Sequence, residues 1–410
     1  MLSAYAVDTS AKQDYRVLNN IVPIDNTVSR PPLEERFANL LICPVRVATM
    51  LGQRSSGEVL FEDSEQNFAR RRLLHIEKIA IENKRLENLS EASFIDYISH
   101  ELHGLILQDI TDQLKHANIL FSSTLHFSDD VPVMLDVLSS RTASVSRLEP
   151  SVASMPWLYD ELIQIVNSQK FRKKDARGRV IMVENLRTAL SFIGIDNLRL
   201  LLPSLLLKRA MPQTTDPFSQ IKVTLTQYAT ATGLCARALA PHYQADPFAA
   251  YVTGMLANLG RCCVTRLYFK TFAYMHRHQL EQAQRLRQRD VHQTLLKITP
   301  SANYLIALQN EFSDKLTADL FEFMPFKRLP ASSIIEAVRL NDVAVKTSYH
   351  KVLNAARSYA QIKMLHQAKA ADKCEIKHQL RQQQFPPGAL ETLKSVDIFN
   401  LPLTVDTDRR

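Results

Sequence analysis

The chain of 410 residues is 46% hydrophobic and 22% charged, carries a formal charge of +8, and contains only 9 glycines, where an average composition of roughly 7% would supply about 29. That deficit excludes folds that need many positive-φ turns, β-sandwiches and propellers among them, and nucleotide folds built on glycine-rich phosphate loops. The apolar content excludes a disordered chain, so an all-α protein of two or three domains is expected.

Cys43, Cys235, Cys262, Cys263 and Cys374 are scattered without a CxxC pair and make a poor disulfide framework. The first twenty residues hold Asp8, Lys12, Asp14 and Arg16 and no apolar core of signal-peptide length. The richest apolar run, 200–207, is interrupted by Pro203 and is too short for a bilayer. A soluble cytoplasmic protein with no transmembrane segment is expected.

Residues 1–32 end in Ser29-Arg30-Pro31-Pro32, show no periodicity and read as a flexible tail. Residues 33–127 read as an N-terminal helical domain. Leu40, Val47 and Leu51 are followed by a charged segment, 58–89, with Phe61, Phe68, Ile76, Ile79 and Leu86 at roughly helical intervals. A second amphipathic run, 94–120, places Ile98, Leu102, Leu105, Ile106, Ile110 and Leu114 inward. His100 and His103 lie i, i+3 on that run, but the order is HELH and not HExxH, so they read as a surface or partly buried pair. Arg70-Arg71-Arg72 sits among Glu62, Asp63, Glu65 and Glu77 and reads as a solvated helix face. Ser128, Asp129 and Asp130 offer N-cap chemistry ahead of Pro132 and mark a boundary.

Beyond it, 157–166, 183–193, 197–207, 226–239 and 247–268 each carry an apolar face and end near Gly, Pro or a polar cluster, and no period-two alternation persists. A compact helical domain follows from that pattern.

Within this stretch Leu162-Ile163-Gln164-Ile165-Val166 leads to Asn167-Ser168-Gln169-Lys170-Phe171. The next block runs from Met182 to Leu190 and on through Ile193-Gly194-Ile195-Asp196-Asn197-Leu198-Arg199, where Gly194 closes one helix at positive φ and Asn197 caps the next. A third block is Tyr251-Val252-Thr253-Gly254-Met255-Leu256-Ala257-Asn258-Leu259-Gly260. Taken in order, these resemble the HDOD domain of bacterial signalling proteins: its Leu-x-Asn-Ser-x-x-Phe signature, its helix hairpin, and the Gly-Leu-Leu-His-Asp-Ile-Gly segment of the wider His-Asp phosphohydrolase superfamily. The resemblance covers roughly 128–342 and implies a multi-helix HD-like bundle.

In active members of that superfamily, His and Asp side chains from several helices hold one or two metals that make the attacking hydroxide. The resemblance puts Tyr228, Ala257, Asn258, Ser313 (with Thr317 one turn on) and Asn341 at the ligand positions. Alanine donates no lone pair and an amide carries no charge to offset a divalent cation. The expectation is a pseudo-enzyme with no metal and no cofactor. The bland reading makes these ordinary core or cap residues; the sharper one has Tyr228, Asn258, Arg261 and Asn341 line a cleft for a nucleotide-like anion. Asn167 and Ser168 read as turn formers, or as residues that position a partner surface. Cys262-Cys263 read as small core residues.

Residues 343–410 read as a basic C-terminal extension. From 343 to 381 eight basic residues stand against Asp372 and Glu375, so most of the net charge lies here. The segment has no Pro or Gly and reads as one or two long helices with Val352, Ala355, Tyr359 and Ile362 inward, ended by Pro386-Pro387-Gly388. Its basic face reads as solvated, with nucleic-acid binding the alternative; the stretch 277–289, with Arg285, Arg287 and Arg289, extends it. The function expected from the resemblance is a non-catalytic signalling protein that works by binding a protein partner. A metal-dependent phosphohydrolase is the enzymatic alternative.

Overall fold

A computed structural model describes residues 30–52, 75–172, 179–339 and 347–404, with backbone only at 75–88, 331, 332 and 336. Of the flexible tail expected at 1–32, residues 1–29 lie outside the described residues, as do the Arg70-Arg71-Arg72 face, Asn341 and the final residues, while Arg30 is ion-paired to Asp372 at 2.6 Å. Regular structure among the described residues is helical: α1 (Leu33–Ile42), α2 (Pro44–Met50), α3 (His75–Leu114), α4 (Asp130–Ser139), α5 (Val145–Ala153), α6 (Pro156–Asn167), α7 (Leu186–Ile193), α8 (Ile195–Ala210), α9 (Ile221–Leu239), α10 (Pro247–Leu256), α11 (Leu259–Arg285), α12 (Arg289–Leu295), α13 (Ala302–Glu322), α14 (Ala331–Arg339), α15 (Ser348–Gln367), α16 (Lys373–Gln382) and α17 (Ala389–Ser395). No single described helix is long and apolar enough to cross a membrane.

The centre is α9, which packs most extensively on α10 and then on α15, while α11 packs on α13. Leu225, Ala229, Leu256, Cys262 and Leu320 are fully buried there. The same hydrophobic core continues without a break into Leu41 and Ile42 of α1, Ile106 and Ile110 of α3, and Ala355 and Ala360 of α15. Of the inward positions expected on α3, Leu105 faces solvent at 37% exposure, because the run 102, 106, 110 already forms the stripe that meets α11.

Local chemistry explains several helix ends. Asn185 starts α7 by accepting from the backbone N–H groups of Arg187 and Thr188, so the helix begins three residues later than its apolar pattern does. Gly194 closes it at φ 80°, as expected. Asn197, expected as the next cap, stands inside α8. Its Nδ2 donates to Ile193 O (2.8 Å) and Thr404 O (2.6 Å) while its Oδ1 accepts from Thr404 N (2.9 Å), which pins the C-terminal segment to the α7–α8 corner. The N-cap expected at 128–130 is also corrected. Asp129 occupies that place without a side-chain bond, and Asp130 accepts from Ser154 Oγ at 2.6 Å.

Two buried ionic contacts tie distant segments together. Asp136 on α4 accepts from three consecutive backbone N–H groups, Lys327 (2.5 Å), Arg328 (3.0 Å) and Leu329 (3.0 Å), a nest that holds a carboxylate firmly. Arg36 on α1, only 2% exposed, donates to Ala370 O (2.5 Å) and to both carboxylate oxygens of Glu375 (2.5 and 3.2 Å). Glu375 in turn completes a capping box with Asp372 at the start of α16.

Candidate functional site

The expected single helix over 247–268 is broken. The break falls at Ala257 and Asn258, between α10 and α11: Ala257 keeps helical dihedrals, and Asn258 (φ −95°, ψ 5°) leaves them. The apolar periodicity runs straight through this point, so the break comes from packing and not from local propensity. Gly260 lies directly on α13: its N–H donates to Thr317 Oγ1 at 2.9 Å, and a Cβ added there would stand 2.1 Å from Ser313 O. Only glycine permits that approach. Asn258, deeply buried, reaches Gly254 O with its Nδ2 at a long 3.4 Å.

Into this junction α15 inserts Arg357. Its Nη2 donates to Asp314 Oδ1 (2.7 Å) and its Nη1 to Asp314 Oδ2 (3.1 Å), and Nη2 also reaches Ala257 O (3.4 Å). The same carbonyl accepts from Thr317 Oγ1 at 3.3 Å. Arg261 Nη1 donates to Gln309 Oε1 (3.2 Å), and Gln309 Nε2 donates to Thr265 Oγ1 (2.8 Å). Tyr228 is buried edge-on to Phe37, with ring centroids 4.8 Å apart.

The charges are mutually coupled. Burial raises the Tyr228 phenol pKa while Arg357 and Arg261 oppose the rise. Burial lowers that of Arg261, with Asp314 and Tyr228 opposing and Arg357 adding to the fall. Burial works against Arg357 as well, but Asp314 and Tyr228 outweigh it and its pKa rises. Asp314 is the carboxylate that acts on all three.

Five of the expected positions, Tyr228, Ala257, Asn258, Arg261 and Ser313, therefore belong to one junction of α9, α11 and α13. The Ala257 methyl sits in a small apolar cluster with Ala337, Val338 and Leu353, and Ser313 Oγ is buried without a hydrogen-bond partner. These residues do not fit a divalent metal. No group of three His, Cys, Asp or Glu side chains suited to a metal occurs among the described residues, and two guanidinium groups stand where a cation would need anionic donors. Arg357, Asp314 and Gln309 were missed from the sequence. The one available signal was phase: Arg357 shares its helical stripe with the buried Leu353, Ala360 and Met364, an inward register for a charge counted among surface ones.

Comparison with known proteins identifies part of the chain. Residues 127–303 match the profile of the HDOD domain. The chain contains an HDOD domain. None of the curated proteins compared matches it. Among solved structures it is similar to a protein from Shewanella amazonensis assigned as a metal-dependent phosphohydrolase (16% identity, TM-score 0.39, 73% of this chain and 95% of that one). It is also similar to a response regulator from Methylococcus capsulatus (18%, 0.30, 66% and 97%) and to a protein from Marinobacter aquaeolei assigned to signal transduction (18%, 0.38, 72% and 65%).

The HDOD match contains Tyr228, Ala257, Asn258 and Arg261 but ends before Ser313 and Asn341, and Arg357 lies beyond it. Asn167 and Ser168, also inside the HDOD domain, stand apart from the junction. Asn167 Nδ2 donates to Val183 O (2.8 Å) and its Oδ1 accepts from Val183 N (2.9 Å), while Ser168 Oγ bonds back to Ile165 O (2.6 Å). They are turn formers, and they fix a loop whose Val180, Ile181 and Met182 are exposed. Cys262 and Cys263 are free and buried, with burial pushing both thiols up to about 12, so they are inert core residues.

On α3 the HELH pair splits. His100 Nδ1 pairs with Tyr304 OH at 3.0 Å. His103, expected at or near the surface, is wholly buried, stacked on the Tyr304 ring at 4.2 Å, with Nδ1 2.7 Å from Ser99 O and Nε2 3.2 Å from Tyr268 OH. Burial lowers its pKa.

Proposed function

We propose that the chain is a non-catalytic cytoplasmic signalling protein of bacterial type whose HDOD domain works by binding a protein partner. The observation that carries this reading is the Arg357–Asp314 pair over Ala257 O. The resemblance assigns metal-ligand positions to Ala257 and Asn258; a guanidinium stands over that junction, and Ala257 contributes only a methyl to packing. With the pocket given over to structure, the surface is what remains for signalling, and the exposed Val180-Ile181-Met182 loop pinned by Asn167 supports contact with an apolar partner face.

The test is hydrolysis by the full chain of bis-(p-nitrophenyl) phosphate and of a cyclic dinucleotide with added manganese or iron(II). No turnover above buffer is expected. Turnover that disappears in Asp314→Ala would overturn the reading.

A second reading, a nucleotide-like ligand without metal, is supported by the two guanidinium groups Arg261 and Arg357. A cleft of about 580 Å³ opens beside Arg357, lined also by Asn354, Ser358, Gln361, the glutamines at 382–384 and the carboxylate of Glu34, which opposes an anion there. Tyr228, Asn258 and Arg261 do not line it. Nucleic-acid binding through 343–410 is disfavoured: α15 turns Arg357 inward, buries Val352, Ala355, Tyr359 and Ile362, and lays Lys363 over the Tyr359 ring.

A further inference from the structure

A second cationic cluster lies on α11 and shares no residue with the Arg357 junction. Arg209, in the last turn of α8, stacks over Trp157 at the start of α6, 5.5 Å from the ring centroid. Arg266 on α11 donates from Nη1 to Arg209 O at 3.2 Å. Lys270 follows Arg266 by one helical turn on the same face. His126, exposed and at φ 56° just after the π-helical turn Leu120–Thr124, lies within electrostatic reach of all three. Burial and then Arg209, Arg266 and Lys270 hold its pKa below the ordinary value, and burial with Arg209 likewise lowers that of Arg266.

None of the four forms an ion pair among the described residues. Glu161, one turn from Trp157 on α6, is bonded to Lys208 at 2.5 Å. Like charges held together repel unless something compensates them. The C-terminal end of α8 carries roughly half an elementary negative charge, which Lys208 and Arg209 in its last turn and Arg266 at Arg209 O share, so three cations and His126 still exceed it. One buried donor of the cluster also lacks a partner, Arg209 Nε. An unpaired buried donor costs about 1–3 kcal/mol, and natural proteins rarely keep one without a ligand, water or ion to meet it.

We propose that Arg209, Arg266, Lys270 and His126 form a binding site for the phosphoryl group of a small ligand. Guanidinium, ammonium and imidazole donors grouped within electrostatic reach of one another suit a compact dianion with several acceptor oxygens. The cluster spans a single turn of α11 before Thr271 and Phe272 turn into the core, and its arginines are half-buried. A nucleic acid would instead need a stripe of exposed charges along successive phosphates. The site stands independently of how the Arg357 junction is read.

The test is calorimetric titration of the full chain at low ionic strength with inorganic phosphate, pyrophosphate and adenosine diphosphate, and separately with a single-stranded oligonucleotide. Lys270→Glu, at an exposed residue outside the core, and Arg266→Gln are the variants. Binding of phosphate or pyrophosphate, weakened by roughly tenfold or more in Lys270→Glu as removal of a nearby charge requires, supports the site. Binding of adenosine diphosphate alone, with the same loss, supports it and assigns the phosphoryl group to a nucleotide. In both cases the His126 ring resonances shift and its pKa rises on ligand addition, a response that a merely structural cluster does not give. Absence of binding at millimolar ligand, binding equal in both variants and wild type, or binding of the oligonucleotide alone would each overturn the proposal.

Discussion

Arg357 on α15 and Asp314 on α13 meet in a two-point ion pair, Nη2 to Oδ1 at 2.7 Å and Nη1 to Oδ2 at 3.1 Å, above the carbonyl of Ala257. The fork-to-fork geometry fixes both partners, and through Ala257 O it ties α15 and α13 to the HDOD match at 127–303.

Replacing Arg357 by Ala leaves Asp314 without its counter-ion in a half-buried site. Urea unfolding is expected to show a loss of about 1–3 kcal/mol. Arg357→Lys recovers only part, because an ammonium cannot match both oxygens. A double-mutant cycle with Asp314→Asn should show the two changes to be non-additive.

Gly260 and Gly104 offer opposite outcomes for one substitution. Gly260→Ala drives a Cβ to 2.1 Å from Ser313 O, a backbone atom that cannot swing aside. A loss above about 3 kcal/mol, or failure to fold, is expected from overpacking. Gly104→Ala, inside α3 with nothing within 4 Å of the new Cβ, should raise stability by about 0.5–1 kcal/mol. Thermal melts of the two proteins check both directions.

Asp136 satisfies three backbone donors at 327–329. Asp136→Ala orphans them and should cost about 2–4 kcal/mol, with faster hydrogen exchange at those three amides. Asp136→Asn, which keeps one acceptor, should fall between.

The pH dependence has two separate windows. His103 is held below its ordinary value by burial, so the unfolded chain binds the proton more readily than the folded one. Its contribution is present above about pH 6.5 and is lost as pH falls through the lowered folded value. Glu375 is held low first by Arg36, and its contribution, present above the ordinary carboxylate value, is lost at more acid pH. His103→Gln should flatten stability between neutral pH and about pH 5.5, leaving the second, acid loss in place; Glu375→Gln should do the reverse.

The helices around α6, α8 and α9 were legible because their apolar residues recur at helical spacing and their ends carry Pro, Gly or Asn. The break at Ala257–Asn258 was not, since Met255, Leu256 and Leu259 continue the pattern across it and the interruption answers to the contact between Gly260 and α13. Asn197 shows the same limit: a helix-start amide was readable as a cap, while its bonds to Thr404, 207 residues away, could not be. At the junction, the sequence pointed to Tyr228, Ala257 and Asn258 only through the resemblance, as positions carrying no metal-ligand side chain. The guanidinium that stands there was not legible, because composition counts Arg357 with seven other basic residues and only its helical phase sets it apart.

The most direct measurement is calorimetric titration of the chelator-treated full chain with manganese(II) and iron(II), followed by metal analysis of the dialysed protein. An alanine, an amide and two guanidinium groups at the junction predict no stoichiometric binding. One divalent ion retained per chain, and lost when Asn258 or Asp314 is replaced by alanine, would contradict that prediction.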